Sequence, residues 1–168
     1  MSHRMVRCIL VLIMLNGSVY ALDSDKEKVM HVLADSANLS QQDHKGTYVG
    51  HVEFNQGTTN LQAAKAITHG NDKNQLVLAI ANGDKEKQAH YWAITDINKP
   101  PFHAYADTIR YYPQRHLIEL LGNARVEQGN NSFAGAKISY DTIKQHVMSE
   151  GKGKERIVII YHPEKKAL

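Results

Sequence analysis

Apolar and polar residues alternate with a period of two over most of this chain. Tyr48, Gly50, Val52 and Phe54 alternate with Thr47, Val49, His51 and Glu53. Leu120, Gly122, Ala124 and Val126 alternate with Glu119, Leu121, Asn123 and Arg125. That period places one set of side chains on a buried sheet face and leaves the other mostly wet. Further strands are predicted over Thr59–Ile67, Gln75–Ile80, Ala89–Thr95, Phe102–Tyr111, His116–Leu121, Ser132–Tyr140, Thr142–Met148 and Arg156–Tyr161. Gln56-Gly57, Asn71-Asp72, Asn82-Gly83-Asp84, Pro100-Pro101, Gln128-Gly129 and Gly151-Lys152-Gly153 separate them. Glycine in these turns accepts the positive φ of a tight hairpin. Short strands at this spacing predict an all-β sandwich, roll or barrel. One segment reads two ways. Val29, Val32, Leu33, Ser36, Ala37 and Ser40 also fit a helical face, with Asp25 as its cap. A strand over Val29–Ala34 is preferred, because its downstream end is in register with Ala106–Ile109, where the β-rich run Thr108–Tyr112 favours a strand.

That register belongs to an internal repeat. Gly50-His51-Val52-Glu53-Phe54-Asn55-Gln56-Gly57 and Gly122-Asn123-Ala124-Arg125-Val126-Glu127-Gln128-Gly129 share their glycines and the Gln-Gly pair at an offset of 72 positions. Leu61 then matches Phe133, and Ala64-Lys65 matches Ala136-Lys137. Upstream, Ala34-Asp35-Ser36-Ala37 matches Ala106-Asp107-Thr108-Ile109. An ordered series without a gap marks a structural unit that stacks on its copy.

The first residues follow another rule. His3, Arg4 and Arg7 precede the apolar run Cys8–Leu15, then Asn16-Gly17-Ser18 and Val19-Tyr20-Ala21. A basic start, a short apolar run and small residues before a cut site describe an export signal over residues 1–21. The run falls short of the ~20 apolar residues of a bilayer span. A retained anchor is the rival reading. Residues 22–163 are expected to form one β-domain and 164–168 a short basic tail. The only cysteine is Cys8, so the exported chain would hold its fold without disulfides. Twenty basic residues face 17 acidic ones, and Arg4 and Arg7 leave with the signal. This near-balance lacks the strongly basic face that nucleic acid requires.

Reactive chemistry is sparse. The ten histidines show no metal-ligand spacing, and no cysteine joins them. There is no nucleophile elbow and no phosphate loop. Asp35 and Asp107 occupy equivalent places in the two copies, which favours a turn or capping role over acid–base work. The aromatic residues fill a core between sheets or line a ligand groove.

Taken together, the export signal, the Ala-Asp pairs, Gly-His-Val-Glu-Phe-Asn-Gln-Gly, Gly-Asn-Ala-Arg-Val-Glu-Gln-Gly and the Gly-Ala-Lys-Ile-Ser-Tyr of residues 135–140 resemble the LptA/OstA family. Its members are periplasmic lipopolysaccharide transport proteins of Gram-negative bacteria. The likeness runs from about Val29 to Tyr161. It implies a twisted β-jellyroll, open at both ends, with an apolar lumen for lipid A acyl chains. It also implies head-to-tail self-association between an LptC-like inner-membrane partner and an LptD-like outer-membrane translocon, with no cofactor and no catalysis. Met30, Val32 and Tyr91 match lumen-facing positions of the family, and alternation adds Val52, Phe54 and Phe133. Val29, His31 and Leu33 at one end, and Ile157, Ile159 and Tyr161 at the other, are the candidate stacking edges. The segment Asn82–Gln88 departs from the family: Asp84-Lys85-Glu86-Lys87 stands where a glycine-richer turn is usual. Two other functions compete. One is a different envelope β-module, LptC-like or translocon-type. The other is an enzyme acting on envelope glycolipids.

Overall fold

The structure, a computed structural model, describes residues 25, 28–141, 144, 146–151, 153 and 156–163. The expected signal segment and the tail lie outside them. Within the described residues the chain forms one antiparallel sheet of twelve strands. They are β1 (Met30–Leu33), β2 (Ser36–Ser40), β3 (Lys45–Gln56), β4 (Thr59–Gly70), β5 (Leu76–Asn82), β6 (Ala89–Ala93), β7 (Phe102–Ala106), β8 (Thr108–Tyr112), β9 (Leu117–Gln128), β10 (Asn131–Asp141), β11 (His146–Glu150) and β12 (Val158–Ile160). The segment Lys26–Ser40, open to a helical reading, contains the strands β1 and β2.

The long strands fold this sheet into two walls. The first half of β3 pairs with β2 and its second half with β1. β9 divides in the same way between β8 and β7. β4 divides between β6 and β5, and β10 between β12 and β11. One wall therefore runs β1-β3-β4-β6-β7-β9-β10-β12. The other runs β2-β3-β4-β5-β8-β9-β10-β11. They meet at a corner that every long strand crosses.

The corner explains the repeated residues. Register shifts between Val49 and Val52 on β3, and between Gly135 and Lys137 on β10, mark β-bulges there. A bulge adds a residue on one strand, bends it and strengthens its twist. Gly50 and Gly122 sit at φ +81° and +77°, followed by His51 at +44° and Asn123 at +47°. Over each glycine lies an aspartate: Asp35 over Gly50 and Asp107 over Gly122. The backbone N–H of Asp35 donates to the Gly50 carbonyl at 2.9 Å, and that of Asp107 to the Gly122 carbonyl at 2.9 Å. These aspartates break the neighbouring strands. The predicted strand Phe102–Tyr111 is two strands split at Asp107, and Ala34-Asp35 separates β1 from β2. The expected side-chain capping of nearby backbone N–H groups is replaced by side-chain pairing. Asp35 Oδ2 meets His51 Nδ1 at 2.8 Å, and Asp107 Oδ2 accepts from Asn123 Nδ2 at 2.9 Å.

Other boundaries move modestly. His116–Leu121 and the alternating run after it form the single strand β9, and Ala89–Thr95 ends at Ala93. β11 occupies His146–Glu150, where Thr142–Met148 was expected, and β12 only Val158–Ile160. The glycine-poor segment after Asn82 turns by a local device. Asp84 Oδ1 accepts from the N–H groups of Glu86 and Lys87, both at 2.8 Å, while the Asp84 N–H donates to the Lys87 carbonyl. These bonds hold the Asp84 carboxyl below its ordinary pKa.

The duplication covers the whole sheet. β1–β6 and β7–β12 are two six-strand units with the same internal pairing. They join where β6 pairs with β7 and β5 with β8.

Candidate functional site

Between the walls lies an apolar trough. Tyr91, Phe102, Ala104 and Val126 line it from the first wall, and Ile118, Leu120, Ile138, Tyr140 and Val147 from the second. The rings of Phe102 and Tyr140 approach across it, with centroids 6.4 Å apart.

Register turns this lining into continuous rows. In the first unit Val32 lies opposite Phe54, Phe54 opposite Leu61, and Leu61 opposite Tyr91. Across the seam Tyr91 faces Ala104. The row then continues through Val126 and Phe133 to Ile159. Cross-strand partners share a face, so this is one apolar line from the first strand of the wall to its last. The second wall carries its own, Ala37–Tyr48–Ala66–Ala81 and then Ile109–Leu120–Ile138, and it ends on the polar Ser149.

Side-chain size follows distance from the corner. Nearest to it, Val52 faces Ala63, Ala89 faces Ala106, and Ala124 faces Gly135. All of these but the half-buried Gly135 are buried, because the converging walls leave room only for small groups. One step outward stand the larger Phe54, Leu61, Tyr91, Val126 and Phe133. Val52 is thus 2% exposed, a core residue at the apex, whereas Val32 is 38% exposed. Phe54 is half-buried, and Tyr91 and Phe133 pack on the core from its margin. Burial pushes the Tyr91 phenol up to about 12, so it stays protonated beside Thr59. Met30 lies on the same inward face of β1 as Val32 and is exposed.

Exposure concentrates at the two ends. Met30, Val32 and Leu39 at one end, and Val147 and Ile159 at the other, belong to inward rows that no further strand covers among the described residues. Among the described residues the trough is therefore uncovered at both ends. The sequence-derived edges were β1 and β12. Among the described residues β1 pairs only with β3 and β12 only with β10. Two further edges escaped sequence reasoning, β2 and β11, which pair only with β3 and β10. His31 and Leu33 face outward on β1, opposite in sense to Val32. Val29, Ile157 and Tyr161 flank the strands and are exposed.

The outer surface has a different character. His90 and His103, thirteen residues apart and without a ligand motif, come together with Nε2 and Nδ1 3.0 Å apart. Among the described residues no group of three or more His, Cys, Asp or Glu is placed to hold a metal ion. No helix among them is long and apolar enough to cross a membrane.

Residues 31–146 match the family described as LptA/(LptD N-terminal domain) LPS transport protein. The lipopolysaccharide export system protein LptH of Pseudomonas aeruginosa is 33% identical over 155 residues, covering 88% of this chain and 86% of its own. The lipopolysaccharide export system protein LptA of Escherichia coli K12 is 24% identical over 146 residues, with 86% and 76% covered. The crystal structure of LptH, the LptA-homologous periplasmic component of the lipopolysaccharide transport device of P. aeruginosa, superposes with a TM-score of 0.74. It shows 29% identity and covers 83% of this chain and 99% of its own. On this agreement of repeat, fold and sequence, the chain belongs to the LptA/LptD N-terminal domain family of lipopolysaccharide transport proteins.

Proposed function

We propose that this chain is a periplasmic bridge segment whose trough shields the acyl chains of lipopolysaccharide and passes them along a head-to-tail stack. Residues 1–21 direct export, and residues 22–163 act as the transport domain. The observation that carries the reading is the unbroken row from Val32 to Ile159, apolar throughout and exposed at both ends. An acyl chain leaving water gains about 0.8 kcal/mol per methylene, so ten methylenes gain roughly 8 kcal/mol. A lipid tail therefore travels only where apolar surface is continuous, while its sugars remain in water. Met30, Val32, Phe54, Tyr91 and Phe133 form the lipid-contacting set, with Val52 as support beneath them.

The seam between the two units supports a definite form of stacking. β6 receives β7, and β5 receives β8. β12 and β11 stand at the far end in the places that β6 and β5 occupy at the seam. β1 and β2 correspond to β7 and β8. A second copy docking its β1 and β2 on β12 and β11 repeats the seam between molecules. Unpaired edges accept a strand in this way. Transferring the seam register puts Ile159 opposite the second copy's Val32, as Tyr91 lies opposite Ala104. The first row then runs on without a break, and the second meets its copy with Ser149 opposite Ala37. The same edges serve an LptC-like partner at one end and an LptD-like translocon at the other. A repeated heterologous contact of this kind gives filaments.

Site-specific photo-crosslinking in cells tests the lipid reading. Probes at Val32 and Phe54 are expected to capture lipopolysaccharide, and probes at the outward His51 and Arg125 are not. Equal labelling of both faces overturns it.

A further inference from the structure

We propose that outward side chains of the end strands, Leu33 on β1 and Val158 with Ile160 on β12, form an apolar clasp between copies that holds the stack from the side away from the lipid. The inference rests on the stacking proposed above and assigns its holding contact. Leu33, Val158 and Ile160 are 63%, 52% and 47% exposed. They alternate with the inward Val32 and Ile159, so they point away from the trough. A lipid tail inside the trough does not cover them. A docked end strand does.

The internal seam sets the register of that contact. Val158 lies opposite Ala134 as His90 lies opposite Gln62, and Ile160 lies opposite Ser132 as Trp92 lies opposite Asn60. The offset of 72 positions carries Leu33 onto Tyr105 and His31 onto His103. At the seam His90 faces Tyr105 and Trp92 faces His103. Between copies Val158 therefore faces the second copy's Leu33, and Ile160 faces its His31. On the second wall Thr108 donates to Asn82 at 3.0 Å across the seam. Ser36 and Glu150 are the equivalent pair at the junction, and they keep a donor and an acceptor in register.

The outer faces of seam and junction differ in chemistry. At the seam His90 stacks between Trp92 and Tyr105, is hydrogen-bonded to His103, and Arg125 lies over the Tyr105 ring. At the junction aliphatic side chains replace these groups. Apolar burial is non-directional, so it suits a contact that forms between separate molecules. The two faces of the junction then have separate tasks. The inner row stays open to cargo, and the outer row holds the copies together whether or not a lipid is crossing.

A charge exchange tests the clasp in the exported chain from Leu22 to Leu168, with sedimentation velocity followed over concentration. Leu33→Lys alone and Val158→Glu alone each press an unpaired charge on an apolar neighbour, and each should raise the concentration of half-association roughly tenfold or more. The chain carrying both should associate again, because the two positions stand at opposite ends of one wall and only a neighbouring copy brings them together. Its association should weaken with added salt, and that of the parent should not. A photo-crosslinking probe at Phe54 should capture lipopolysaccharide in each variant as in the parent. Loss of that capture in a single variant means that its side chain supports the trough, and overturns the assignment. Single variants that associate like the parent overturn it too, as does a combined variant that stays dissociated. Recovery of the single variants on adding lipopolysaccharide places the holding contact on the inner row and counts equally against the clasp. A parent mass independent of concentration sinks the stacking reading itself, and the clasp with it.

Discussion

His51 follows Gly50 at the corner, in a left-handed conformation, with its ring against Asp35. In the second unit Asn123 takes the same place against Asp107. One corner therefore carries a histidine and the other an amide in its place. The hydrogen bond and charge of Asp35 raise His51 above its ordinary 6.5. A histidine raised in the folded state contributes stability that is complete below its unfolded pKa and is lost as pH rises through the folded one. His51→Asn should abolish this increment, flattening the fall of the denaturation midpoint as pH rises above the ordinary histidine value of 6.5. The ion pair is exposed, so the effect is small beside that of the glycines. Gly50→Ala and Gly122→Ala force a Cβ into the left-handed region and onto the aspartate above. Each should cost at least about 1–2 kcal/mol in urea denaturation. The repeat identified these residues as framework from sequence alone. It did not show that the carboxylates bind side chains, because that depends on a bend that no spacing records.

Strand existence was legible, and strand breakage was not. On β3 the even-numbered residues face inward on both sides of the corner, since Gly50 and His51 together preserve the alternation. The pattern therefore reads straight through a bend. On β4 the inward set switches from Leu61 and Ala63 to Ala66 and Thr68. Alanine at the switch carries too little contrast for a period to reveal it. Alanines at the apex are nonetheless informative once the walls are known. Ala106→Leu should overpack the converging walls and cost about 1–3 kcal/mol. Ile138→Ala opens a cavity at the largest fully buried side chain and should cost about 2–5 kcal/mol. Chemical denaturation of both variants distinguishes this graded core from a uniform one, in which the alanine site would tolerate leucine.

At the scale of the molecule, alternation groups Val52, Phe54 and Phe133 as inward candidates, and register sets Phe54 and Phe133 in one cross-strand row with Val52 two residues from Phe54. Alternation could not rank them, because distance from the corner decides which are core and which line the trough. Two of the four open sheet edges among the described residues also escaped it. β2 and β11 become edges only through the folding of the sheet into two walls. The expected junction is testable by cysteine pairing, since Cys8 is the only native cysteine. With the exported chain, Val32→Cys combined with Ile159→Cys should give a disulfide-linked ladder on oxidation, and neither variant alone should exceed a dimer. Particle mass should rise with concentration and stop rising when Arg156–Leu168 is removed. A mass independent of concentration in both chains counts against stacking.

The equal pairing inside the two units also makes the molecule a ruler. Each wall holds eight rungs, and hydrogen-bonded strands lie about 4.8 Å apart, so one copy measures roughly 38 Å and one unit roughly 19 Å. Because the join between units is expected to match the join between copies, the unit and not the chain is the graduation. A chain carrying three units should lengthen each particle by about 19 Å while keeping both ends competent to dock. Span could then be adjusted in half-molecule steps by gene duplication, without any new interface.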